Sequence, residues 1–254
     1  MIEDLQGKVV LITGAGTGIG AAAARAFGAN RCKIAVHYNQ SAGPAQQVVT
    51  DIKAVGGDAI ALQCDVMDTR AIKNLVDTTV KTFGRIDILI NNAGDLVKRL
   101  PVAEITDEYF DHVVHLNVRS MIAACREALP HMRKQGGGNI INVTSIAARH
   151  GGGPGAVMYA ASKGFVSTAT RGLAKELVKD NIRVNAVAPG VVVTPFHDRH
   201  SSDQQLEGFR AGIPMQRLGT ADECAGAFLF LASDQMSGYV TGQIIEVNGG
   251  QLMP

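Results

Sequence analysis

The sequence predicts a single α/β domain over residues 1–254. Its expected form is a doubly wound parallel sheet of about seven strands with helices on both faces. Three observations predict it. Short β-branched runs alternate with longer helical stretches along the whole chain. Most of those runs are continuously apolar, as strands covered on both faces of a parallel sheet must be. No linker, low-complexity tract or short repeat divides the 254 residues, of which 46% are hydrophobic, enough for one sizeable core.

Residues 8–13 read as the first strand. They run straight into Gly14-Ala15-Gly16-Thr17-Gly18-Ile19-Gly20, and the alanine run after it starts a helix expected over 18–29. A strand, a tight glycine turn and a helix N-terminus make an anion site, because the backbone can approach a pyrophosphate and free N–H groups point at it. No Gly-Lys-Ser/Thr follows, which excludes a Walker phosphate loop. The second strand, 33–38, ends in His37-Tyr38-Asn39-Gln40-Ser41, and a helix is expected over 45–55. A dinucleotide site ordinarily carries an acid near this strand end to hold the adenosine ribose. Here no Asp or Glu occurs between Asp4 and Asp51. A missing carboxylate favours NADP(H), with Asn39, Gln40 and Ser41 left to bind the 2′-phosphate. No Arg or Lys stands at the strand tip, so NAD(H) stays open as the alternative.

The third strand is expected over 58–64. Asp68 is a plausible N-cap for a helix over 69–83, which leads to a fourth strand at 86–91. A long helix is expected over 107–134, then a strand at 139–145, a second long helix over 156–179 and a strand at 182–188. A polar stretch at about 194–217 has the length and composition of a lid over a substrate. Thr220 with Glu223 reads as a capping box for the last helix, 221–233, and a strand at 243–247 closes the sheet.

Composition narrows the function. The 24 Lys+Arg nearly balance the 23 Asp+Glu, which argues against nucleic-acid binding through a strong basic field. No apolar run approaches the roughly 18 residues of a membrane helix, and the acidic N-terminus lacks the pattern of a signal peptide. Cys32, Cys64, Cys125 and Cys224 lie far apart without a Cys-x-x-Cys, which points to a reducing cytoplasm and away from zinc or disulfides. His112 and His115, and His197 and His200, are spaced three apart, yet neither pair has a third metal ligand beside it, so no metal is expected.

Tyr159 and Lys163 are four residues apart, so they share one face of the second long helix. A phenol titrates at about 10 in isolation, and a neighbouring cation favours its phenolate. The pair therefore suits moving a proton on or off a carbonyl oxygen. Arg149 and His150, next to Gly151-Gly152-Gly153-Pro154-Gly155, stand near enough in sequence to edge a substrate pocket. Leu96, Val97 and Val157 are candidate apolar walls, and His197, Arg199 and His200 are candidates on the lid.

Thr13-Gly14-x-x-x-Gly18-x-Gly20, Asn91-Asn92-Ala93-Gly94, Ser145, Tyr159-x-x-x-Lys163 and Pro189-Gly190 with Thr194 follow in order. Over essentially the whole chain this set resembles the short-chain dehydrogenase/reductase family, and within it the 3-oxoacyl-carrier-protein reductase and sugar or polyol dehydrogenase branches. The resemblance implies a Rossmann-type fold and hydride transfer between NADP(H) or NAD(H) and a ketone/secondary alcohol pair. It implies a catalytic set of Asn117, Ser145, Tyr159 and Lys163. Tyr159 would exchange the proton and Ser145 would orient the carbonyl. Lys163 would hold the nicotinamide ribose, and the Asn117 backbone carbonyl would hold a water. Gly14, Thr17, Gly18, Ile19 and Gly20 would surround the pyrophosphate, Asp65 and Val66 would touch adenine, and Asn91 and Gly94 would line the ribose. Pro189, Gly190, Val192 and Thr194 would meet the nicotinamide end. Its long helices imply a symmetric homo-oligomer, a tetramer or dimer. The rival from another class is a nucleotide-binding regulatory protein without catalysis, whose mark would be a broken Ser–Tyr–Lys set.

Overall fold

The computed structural model describes residues 1–253. Its main sheet has seven strands, all paired in parallel. They are β1 (Val9–Ile12), β2 (Lys33–Tyr38), β3 (Asp58–Gln63), β4 (Ile88–Asn91), β5 (Gly138–Val143), β6 (Ile182–Pro189) and, last in the chain, β9 (Ile244–Val247). The order is β3-β2-β1-β4-β5-β6-β9, so the strand order reverses at β1. Ligands of open α/β sheets bind at such a switch point, beyond the C-terminal strand ends.

Alternation along the strands sends side chains to two cores. Val10 and Ile12 of β1 join Ile34 and Val36 against α1 (Gly18–Ala29), α2 (Ala42–Ala54) and α10 (Ala221–Ala232). Leu11 points the other way, with Ala35 and Leu89, against α3 (Thr69–Phe83), α5 (Ser120–Lys134) and α7 (Val157–Leu177). Burial on both faces explains why these strands read as unbroken apolar runs.

The helix ends follow their capping residues. The Asp68 carboxylate accepts the Arg70 N–H at 2.8 Å, and Gly84 closes α3 in the left-handed region at φ 85°. Glu223 reaches back to the Thr220 N–H at 2.8 Å, the capping box expected at the start of α10.

Two stretches depart from the sequence expectation. The helix expected over 107–134 comprises α4 (Asp107–Val114) and α5, joined by a π turn over His115–Arg119. Such turns widen one helical ring and collect at functional sites. The stretch at about 194–217 is largely helical. Pro195 opens α8 (Pro195–His200), and a Ser202–Gln205 capping box opens α9 (Asp203–Ala211). A short parallel pair, β7 (Val192–Val193) with β8 (Gly219–Thr220), closes the base of this segment. The remaining short helices are α6 (Ala147–His150) and α11 (Asp234–Ser237).

Gly20 shows how closely α1 approaches the sheet. A β-carbon there would collide with the Gly14 carbonyl oxygen and the Asn92 amide. Gly20→Ala must therefore push α1 away from the loop, at a cost of about 1–3 kcal/mol. Equilibrium denaturation should register this together with weakened dinucleotide binding. An unchanged midpoint and unchanged affinity would show that the loop has slack.

Candidate active site

The glycine loop lies between the ends of β2 and β4 and is tied to both. On one side the Gly14 N–H donates to His37 Nδ1 at 3.0 Å, and His37 Nε2 lies 3.1 Å from the Cys64 carbonyl oxygen. Because that carbonyl can only accept, these two bonds fix the neutral ring with its proton on Nε2. On the other side Asn92 Nδ2 donates to the carbonyls of Thr13 and Gly14, both at 2.9 Å. The Thr13 hydroxyl accepts the N–H groups of Asn92 and Ala93, both at 3.0 Å. Gly14 and Gly18 have φ of 65° and 55°, which glycine adopts without strain.

This loop forms one end of a cavity of about 370 Å³ that reaches Tyr159. Gly14, Thr17, Gly18, Ile19, Asn39 and Val66 line that end. Gly94, Pro189, Gly190, Val192 and Thr194 line its middle, and Ser145, Tyr159 and Lys163 complete the wall. Five predicted cofactor residues are not on that surface. Gly20 supports the loop from behind. Gln40 is exposed at the strand end. Ser41 packs over Gly16, where a β-carbon would meet its hydroxyl. Asp65 is exposed and accepts the Met67 N–H at 2.9 Å, the work of a turn residue. Asn91 is turned into the core, donating to Asn142 Oδ1 at 2.9 Å. Of the candidate apolar walls, Leu96 lines the cavity, while Val97 and Val157 do not.

At the far end, α7 carries Tyr159 and Lys163 beside the end of β5. The buried Thr144 hydroxyl fixes the helix there, donating to the Lys163 carbonyl at 2.8 Å. Lys163 Nζ donates to the Val143 carbonyl at 2.9 Å and lies 5.7 Å from the Tyr159 ring centre. Gly94 makes room for this: a β-carbon on it would stand 3.2 Å from that ammonium and against the Asn117 side chain. Asn117 sits in the π turn, buried, and holds both main-chain groups of Asp95. It accepts from the Asp95 N–H at 3.1 Å and donates to the Asp95 carbonyl at 2.9 Å. The π turn thus brings Asn117 in behind Gly94 without placing it on the cavity wall.

Burial governs the charges. It pushes the Tyr159 phenol up to about 12; a hydrogen bond with Ser145 opposes this, and the nearby Asp95 carboxylate adds to it. It draws the Lys163 ammonium down to about 8, with Asp95 acting in the opposite sense. The proximity of a cation leads one to expect a lowered phenol value, but burial sets the direction here and raises it. At neutral pH the phenol is protonated.

Sequence reasoning did not single out His37, Asn92, Arg99, Phe196, Phe209 or Gln251 for this cavity. A histidine inside an otherwise apolar strand was a usable signal for His37. The helical lid residues had none without the fold. His197 lies 2.8 Å from the Ser201 hydroxyl, and His200 lies 2.7 Å from Asp95. Neither pairs with the other's partner, and no group of three or more His, Cys, Asp or Glu suited to a metal occurs among the described residues.

Comparison with known proteins places this geometry. A sequence model of a family described as enoyl-(acyl carrier protein) reductase matches residues 14–251. A 3-oxoacyl-[acyl-carrier-protein] reductase of Synechocystis is 39% identical, over 98% of both chains. The chain belongs to the short-chain dehydrogenase/reductase family. A short-chain dehydrogenase from Burkholderia cenocepacia in complex with NADP shares 35% identity and a TM-score of 0.90, over 98% of this chain and 99% of that one. The NADH-dependent reductase A1-R′ complexed with NAD shares 38% identity and a TM-score of 0.88, each chain covered in full. The protein is therefore an oxidoreductase of carbonyl/alcohol substrates using NAD(P)H. The loop fits such a dinucleotide on its own terms, with glycines at positive φ, a helix N-terminus and no carboxylate on the cavity wall.

The neutral His37 holding the loop makes a pH-dependent prediction. Burial lowers its pKa, with the Cys64 carbonyl contact opposing. Below about pH 6.5 the unfolded chain takes up a proton that the native ring refuses, so this contribution to stability is complete above that pH and shrinks as pH falls through it. His37→Phe leaves the Gly14 N–H and the Cys64 carbonyl without their partner, costing about 1–3 kcal/mol at pH 8. The gap between wild type and variant should narrow toward pH 5.5. A gap constant with pH would mean that His37 is not a neutral strut.

Proposed function

We propose that the chain interconverts a ketone and a secondary alcohol with NADP(H) as the preferred dinucleotide, acting through Tyr159, Ser145, Lys163 and Asn117. The observation that carries the reading is a phenol, a hydroxyl and an ammonium group on one wall of a cavity that runs to the glycine loop. The dinucleotide, when bound, supplies or accepts the hydride. Ser145 holds the carbonyl oxygen, and Tyr159 donates its proton to that oxygen as negative charge develops there. Lys163 contributes positive charge beside the phenol and orients the ribose hydroxyls, and the Asn117 main-chain carbonyl holds a water behind it.

Preference for NADP(H) rests on the end of β2, where Asn39 lines the cavity and Ser41 closes over Gly16 with no carboxylate to repel a 2′-phosphate. We assign residues 194–217 as a substrate lid within a single domain, because Phe196 and His197 of α8 and Phe209 of α9 line the cavity. A homo-oligomer, tetramer or dimer, accounts for the exposed Phe110, Ile122 and Phe165 on α4, α5 and α7. The four cysteines are buried and unpaired, as suits a cytoplasmic protein. No helix among the described residues is long and apolar enough to cross a membrane.

Tyr159→Phe removes the proton donor and little volume. It should lower kcat by about 10²–10⁴-fold while dinucleotide affinity, read by fluorescence titration, stays near wild type. Turnover within a few-fold of wild type would take Tyr159 out of the mechanism.

Tyr38→Asp supplies, at the end of β2, the acid that a dinucleotide site ordinarily uses to hold the adenosine ribose. The ratio of kcat/KM for NADPH to that for NADH, measured with one ketone, should exceed one in wild type and fall at least about tenfold in the variant, or roughly 1.4 kcal/mol. A wild-type ratio below one would reassign the β2 end as a ribose-binding turn.

A further inference from the structure

The substrate side of the cavity is electrically one-sided. No Asp or Glu lines the cavity, whereas Arg99 and Arg199 do. Arg199 already has a counter-charge, Asp95 at 3.3 Å. Arg99 has none among the described residues. Its Nε donates to the His200 carbonyl and its Nη1 to the Pro154 carbonyl, both at 3.1 Å and both neutral acceptors. A guanidinium carries five N–H donors, so three remain without a protein acceptor on a half-buried cation.

The chain is shaped to hold Arg99 there. Val97 is β-branched yet lies at φ 66°, in a tight turn closed by the Lys98 N–H on the Leu96 carbonyl at 2.8 Å. Non-glycine residues persist in that region only where their surroundings impose it. The Tyr109 hydroxyl clamps the same turn by donating to the Lys98 carbonyl at 2.6 Å. Opposite, Gly155 at φ 75° leaves room for the Arg99 β-carbon. The glycine-rich 151–155 loop is thus the seat of this side chain. Two main-chain carbonyls fix the plane of the guanidinium, and such a preorganised fork binds a carboxylate in two-pronged fashion.

We infer that Arg99 binds a carboxylate of the substrate, so that the substrate class is oxo acids and their hydroxy-acid partners. The inference rests on the reading of Tyr159 as the group that meets the carbonyl. The test uses straight-chain oxocarboxylates, with the ketone two to five carbons from the acid, and their methyl esters, with NADPH and NADH. For the best chain length, wild-type kcat/KM for the acid should exceed that for its ester by roughly tenfold or more. In Arg99→Gln, whose amide can still donate to a main-chain carbonyl, that ratio should collapse toward one, chiefly through KM for the acid. Calorimetric binding of the matching hydroxycarboxylate should weaken in parallel. Because the acid-to-ester ratio is read first on wild type, a variant that fails to fold does not block the test. Wild-type reduction of esters and neutral ketones with no preference for the acids overturns this inference and leaves the catalytic reading intact. Arg99-dependent calorimetric binding without reduction of any ketone upholds Arg99 and overturns the catalytic reading. Absence of Arg99-dependent binding overturns the inference whatever is reduced.

Discussion

A single residue, Gly14, is held through both of its main-chain groups. Its N–H goes to His37 at the end of β2, and its carbonyl goes to Asn92 beyond the end of β4. β1 is where strand order reverses, so the neighbouring strands lead their connections away in opposite directions and leave a crevice. The two side chains bridge that crevice with neutral hydrogen bonds and bring no charge near the site of a pyrophosphate. The Ala15 N–H is bound as well, donating to the His37 carbonyl at 2.7 Å, so the start of the loop is fixed to β2. Gly20 must lack a side chain for the same reason, since α1 starts against the carbonyl that Asn92 also holds.

The far end of the cavity is built from similar parts put to a different use. The Lys163 carbonyl is anchored by Thr144, and its ammonium donates to the carbonyl of Val143, so both ends of one residue are tied to the end of β5. Tyr159, one helical turn earlier, is thereby set against Ser145 with no freedom to slide along the sheet. Asn117 belongs to the same assembly through Asp95, and the π turn is what lets a helix on the outer layer reach Gly94. Withdrawing a cation and a phenol partly from water shifts both toward their neutral forms. For the phenol, the neutral form is the one that can give up a proton.

The sheet, its helices and the Tyr159–Lys163 pair were legible because burial on both faces and helical spacing leave strong periodic marks. Asp68 and Thr220 announced their helix starts through local capping chemistry. What escaped depends on contacts distant in sequence. Nothing near His37 states that its ring faces Gly14, and nothing near Asn91 states that its amide meets Asn142 in the core. Asp65 carried an adenine role by resemblance, yet locally it binds its own turn, the use that Asp chemistry offers first. The π turn left no sign because its residues keep a helical pattern of burial. The Ser202–Gln205 box that starts α9 was readable by the rule applied to Thr220, but the polar surroundings masked it.

The cavity thus divides into two chemical halves without a carboxylate in either. At the glycine loop the protein offers backbone N–H groups and neutral side chains, which accept phosphate charge without competing for it. Beneath the lid it offers cations, and Asp95, the nearest acid, is already engaged by His200 and Arg199. That engagement has two effects. It fastens the C-terminal end of α8 to the loop after β4, closing the cavity's rim. It also removes Asp95 as a partner for Arg99, although the two lie four residues apart. The Asp95 contacts that shape the lid are therefore also what leaves one guanidinium uncompensated on the cavity wall.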